Sequence, residues 1–109
     1  MNPRIPADYH ELGGWLQRFA VSHAKRESPQ VEAIVETAGE REGRALGLRL
    51  SLGAGAWRDA VRSELGELSV AEVAEGRTRF AWCEALAQRI RGEARRLIAQ
   101  RDGGQSRSA

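Results

Sequence analysis

The chain has 109 residues, 41% of them hydrophobic and 29% charged, with a formal net charge of +2. That is enough for one modest core and too little for two. A single cysteine, Cys83, excludes an intrachain disulfide and fits a reducing, cytoplasmic compartment; no apolar run approaches the roughly 20 residues of a membrane span, and Met1 to Glu11 has no signal-peptide pattern.

Met1 to Ala7 contains Pro3 and Pro6 and is predicted to be an irregular lead-in. Asp8 has the chemistry of a helix N-cap, and Glu11 is placed to complete a capping box. Tyr9, Leu12, Leu16, Phe19, Ala20 and His23 then recur at helical spacing and form one apolar stripe, widened by Trp15. Gly13 and Gly14 weaken this helix but permit a close neighbour. Pro29 stops it.

The period then changes. Val31, Ala33 and Val35 alternate with Glu32, Ile34 and Glu36, and Leu46, Leu48, Leu50 and Leu52 alternate with Ala45, Gly47, Arg49 and Ser51. Alternation with period two marks half-buried strands. The polar loop Gly39 to Gly43 joins them, so an antiparallel hairpin over 31–38 and 44–52 is predicted. A lone hairpin is unstable in water, so its apolar face must lie under helices.

Beyond the break at Gly53-Ala54-Gly55, Trp57, Ala60, Val61, Glu64 and Leu65 fit one face of a short helix over 56–65, ended by Gly66. Glu67 to Gly76 reads two ways. Ser69 with Glu72 resembles a capping box, which favours a helix; Leu68, Val70 and Val73 also suit a strand turning at Glu75-Gly76. From about 79 to 101 a long helix is predicted, with Cys83, Leu86, Ala87, Ile90, Ala94, Leu97 and Ile98 on its apolar stripe and Phe80 extending it by a turn. Gly103-Gly104 is expected to end it, leaving 102–109 as a disordered tail. The fold class is therefore α+β, a small two-layer domain spanning 8–101.

No motif fixes a reaction, a metal or a cofactor. His10 and His23 lie thirteen residues apart, not the four that puts two ligands on one helix face. Cys83 falls on an apolar stripe, where a thiol acts as a small hydrophobe. Gly53-x-Gly55 lacks both a following Gly-Lys-Ser/Thr and a third glycine.

Charge placement says more than its total. From Arg77 onward eight Arg face Glu84, Glu93 and Asp102, a net of +5, while the chain before it carries a net of −3. Sixteen of the 17 basic residues are Arg, as expected from a bacterial genome rich in G and C. The candidate contact residues are Arg89, Arg91, Arg95, Arg96 and Arg101 on the last helix, joined by Arg77 and Arg79, together with Trp57 and Trp82. Such arginines suit phosphates or an acidic partner, but cations near a helix C-terminus also oppose its dipole without any partner. Open sheet edges and three Trp point to a non-enzymatic protein-binding or assembly module, with a homodimer as the expected form. A nucleic-acid-binding accessory protein is the alternative, and a small enzyme assembled across a dimer is the third.

Overall fold

The computed structural model describes residues 8–53 and 59–106. Helix α1 (Tyr9–Glu27) leads into strand β1 (Val31–Glu36), and a 3-10 turn (Gly39–Arg41) joins it to β2 (Ala45–Leu52). Then follow β3 (Val61–Ser69), the short helix α2 (Val70–Gly76) and the long helix α3 (Phe80–Ser106). The three strands form one antiparallel sheet in the order β1-β2-β3. No described helix is long and apolar enough to cross a membrane.

The hairpin forms as its alternation predicts. Val31, Ala33 and Val35 stand opposite Leu52, Leu50 and Leu48, so these residues of both strands fall on one face, while Ile34 and Ala45 turn to the other. The loop achieves its reversal with Gly39 and Gly43, both at positive φ (87° and 82°). Tyr9, Leu12, Leu16, Ala20 and Ala24 of α1 and Leu86, Ile90, Ala94 and Leu97 of α3 cover that face, and together with the strand leucines they make one core. Gly13 is buried, with the position of a Cβ 3.5 Å from Leu46, so the helix sits close on the hairpin. The Tyr9 hydroxyl donates to Ala45 O at 2.7 Å, which anchors the first turn of α1 to the start of β2.

The helix expected over 56–65 is replaced by a strand. Residues 56–58 lie outside the described residues, but Val61 to Ser69 pair with β2 along its whole length. Val61, Ser63, Leu65 and Leu68 point to the core while Arg62, Glu64 and Glu67 are exposed. The segment satisfies both periodicities, and the free backbone edge of β2 selected the extended one, because a buried strand needs partners for its N–H and C=O groups. A register shift between Leu48 and Arg49 accommodates an extra residue in β3, followed by Gly66 at φ +92°.

Of the two readings of Glu67 to Gly76, the helical one holds from Val70 onward, and Ser69 Oγ accepts from Glu72 N at 3.0 Å as the capping box requires. Asp8 differs: its side chain makes no capping bond, and α1 begins with Leu12 N donating to the Asp8 carbonyl at 2.9 Å. Two further corrections concern α3. Phe80 does not extend the apolar stripe but stands 83% exposed at the start of the helix. Gly103-Gly104 does not end the helix either, which continues to Ser106, so 102–106 are helical where a disordered tail was expected. The irregular lead-in expected over 1–7 lies outside the described residues.

Candidate functional site

The arginines of α3 are largely engaged within the fold. Arg91 Nε and Arg95 Nη1 both donate to Glu27 Oε2, at 2.9 and 3.0 Å, tying α3 to the last turn of α1. The Glu27 side chain is only 14% exposed. The Arg91 hydrogen bond, then the charge and hydrogen bond of Arg95, hold its carboxyl below the usual carboxylate value. Arg96 Nε donates to Glu93 Oε1 at 2.9 Å and its Nη2 to Ser63 Oγ at 3.1 Å. Arg101 bonds Asp102 at 3.1 Å and the Gln30 side chain at 2.9 Å. Arg89 donates to the backbone oxygen of Leu65 at 2.8 Å, beside the β3 bulge.

Among the described residues, Ser63, Glu93 and Arg96 form a partly buried polar cluster with the outline of a catalytic group. Ser63 is 6% exposed and its hydroxyl donates to Glu93 Oε1 at 2.6 Å. Activating a serine needs a base willing to take its proton. Glu93 is the opposite, since the Ser63 hydrogen bond and then Arg96 lower its pKa and favour the charged carboxylate. The cluster therefore fastens β3 to α3. No three His, Cys, Asp or Glu gather into a possible metal group among the described residues. His23 packs against Phe19, ring centroids 4.6 Å apart, with its Nδ1 buried and unpartnered. Cys83 is half-buried rather than buried, its Sγ 3.6 Å from the Gly76 carbonyl.

Trp57 lies outside the described residues. Trp82 is a packing residue: its indole stacks with Trp15 at a centroid distance of 6.3 Å, lies directly on Gly76 and donates from Nε1 to Glu72 at 3.3 Å. Trp15 in turn stacks on Phe19 at 5.0 Å, so this constellation joins α1, α2 and α3.

The two edges of the sheet are treated differently, and no expectation from the sequence anticipated this. On β1 the Gln17 amide lies along the edge, donating from Nε2 to Ala33 O at 2.7 Å and accepting from Val35 N at 2.9 Å. Lys25 Nζ reaches Val31 O at 3.1 Å and Pro29 O at 2.7 Å. Side chains of α1 thus take up outward backbone groups that a fourth strand would use. On β3 the bond from Arg89 to Leu65 O is the only side-chain contact to outward backbone among the described residues. Beside it a hollow of about 230 Å³ is lined by Glu64, Leu65, Gln88, Arg89, Gly92 and Glu93. Gln17 carried no signal in the sequence beyond a polar residue flanking the α1 stripe. Arg62 and Glu64, exposed on either side of buried Ser63, lie in a segment whose spacing also fits a helix.

The open face of the sheet, turned from the helices, is closed by charge. Arg41 pairs with Glu67 at 2.8 Å and Glu36 at 3.8 Å, and Arg49 with Glu36 at 3.3 Å. Set against family models, curated proteins and solved structures, the chain matches none.

Proposed function

We propose that the chain is a non-enzymatic protein-binding and assembly module that associates with itself through its sheet. The observation that carries this is the contrast between edges: β1 is sealed by Gln17 and Lys25, while β3 keeps outward backbone groups beside a hollow that a further strand would fill. Open edges pair, and a sequence that blocks one and leaves the other directs where pairing occurs. The lone Cys83 and the Arg-rich composition support a bacterial, cytoplasmic setting for it.

Light scattering over a concentration series tests the proposal. A mass above the 12.0 kDa of one chain, rising with concentration, is expected; 12.0 kDa up to the solubility limit overturns self-association.

Nucleic-acid binding through Arg89, Arg91, Arg95, Arg96 and Arg101 loses support from their contacts. Arg91 and Arg95 share a carboxylate, and a phosphate would have to displace it. DNA or RNA retained at low salt, with affinity falling steeply as salt rises, would restore that reading.

A further inference from the structure

We infer that the partner of the β3 edge is the β3 edge of a second copy, joined about a twofold axis at Ser63; this rests on the self-association proposed above. The first step is to know which backbone groups of β3 face outward. Gln17 bonds Ala33 O and Val35 N from outside the sheet, so those two residues turn away from β2. In an antiparallel pair residues alternate between exchanging both hydrogen bonds with the residue opposite and exchanging none. Ala33 stands opposite Leu50 and Val35 opposite Leu48, so these leucines direct their N–H and C=O to β3. Leu50 stands opposite Ser63, which therefore bonds inward, leaving Arg62 and Glu64 with outward backbone groups. The bond from Val70 N to Arg44 O, 2.9 Å, falls in the same alternation further along.

An incoming antiparallel strand must bond Arg62 and Glu64. With a second copy three registers set these residues against one another. One places Arg62 against Arg62, one Glu64 against Glu64, and the one between them places Arg62 against the second copy's Glu64, twice. Like charges directly opposite destabilise a strand pair and opposite charges stabilise it, so charge selects the middle register. There each Arg62–Glu64 pair exchanges two backbone hydrogen bonds and Ser63 lies on the axis.

Both side chains are exposed, and neither has an ion-pair partner among the described residues, whereas Arg41, Arg49, Arg91, Arg95, Arg96 and Arg101 all do. The twofold stands perpendicular to the sheet, so both copies keep their helices on one side and the two α3 helices meet across the seam. Gly92, where a Cβ would find nothing within 4 Å, lines the hollow facing that seam. The pairing stops at Leu65, whose carbonyl Arg89 already holds.

Sedimentation equilibrium of the full chain and three variants tests this, with circular dichroism to confirm folding. Arg62→Glu sets like charges opposite each other twice and is expected to weaken dimerisation about tenfold or more. Arg62→Glu combined with Glu64→Arg restores opposite pairs in the same register and is expected to recover the native affinity. Arg62→Pro removes an outward N–H without breaking a bond to β2, and is expected to leave a folded monomer. A native dimer indifferent to Arg62→Glu and Arg62→Pro overturns the edge assignment while self-association stands. Failure of the double variant to recover overturns the register. A native monomer overturns both readings.

Discussion

β1 and β3 are both edge strands of the same sheet, each beside a long helix, yet only one is sealed. At β1 the helix supplies a carboxamide with one donor and one acceptor, spaced as a neighbouring strand would space them, and a lysine a little further along. At β3 the helix supplies chiefly side-chain contacts: Glu93 and Arg96 grip the Ser63 hydroxyl, which points into the core, and among the described residues only Arg89 reaches the backbone. An amide can mimic a strand and a guanidinium cannot, since it has donors but no acceptor. Edge protection thus depends on which polar residue a helix sets beside the strand, not on a helix being there.

Disturbing the α3 side at its packing should have the largest effect. A Cβ on Gly76 would collide with the Trp82 ring atoms Cδ2 and Cε2, and that ring is wedged between α1 and α2. Gly76→Ala is expected to destabilise the fold by about 1–3 kcal/mol through overpacking, measured as a lowered urea midpoint. Trp fluorescence should shift with it, and native stability in this variant would show that the indole moves freely.

Opening the β1 side comes next. Gln17→Ala leaves Ala33 O and Val35 N without protein partners, for a cost of about 1–2 kcal/mol. It also exposes a second pairing edge, so larger and less defined assemblies are expected in light scattering. Gln17→Glu should open the edge as well, because a carboxylate cannot donate to Ala33 O. If neither variant changes assembly size, the edges are not what limits association.

The smallest effect is electrostatic. Glu27 and Glu93 are held below the usual carboxyl value of 4.5 by hydrogen bonds from Arg91 and from Ser63, respectively, and then by the neighbouring arginines. The unfolded chain therefore binds more protons around that pH, and the stability these groups contribute, complete above 4.5, drains away as pH falls through their lowered values. His23 is held below 6.5, first by burial and then by Arg26 and Arg91, so its contribution begins to fall away as pH drops through 6.5. The melting temperature should decline in two stages. His23→Gln should flatten the upper stage, and Glu27→Gln the lower. A single-stage decline in the native chain would contradict the assignment.

Some of this was legible in the residues. The apolar stripe of α1 and the alternation of Val31 to Val35 and Leu46 to Leu52 allow one periodicity each, and those elements form close to the predicted bounds. Val61 to Leu65 allow two, and the local pattern did not choose. Phe80 fits the α3 stripe by spacing, but the helix starts past the edge of the core and leaves the ring in solvent. The α3 arginines could be seen to lie off the apolar stripe, but their partners could not. Glu27 precedes Arg91 and Arg95 by 64 and 68 residues, a separation no sequence period reports.

The sequence by itself determined two amphipathic helices, a two-stranded ribbon with its valines and leucines on one face, and a C-terminal excess of positive charge. Spacing is enough for these because side-chain direction follows from the local backbone. Only the tertiary structure decided that a third strand completes the sheet, that the arginines of α3 bind inward to Glu27, Glu93 and Leu65, and that one edge is sealed. Backbone groups must find partners wherever the folded chain brings them, and which side chain or strand arrives there depends on packing between elements distant in sequence.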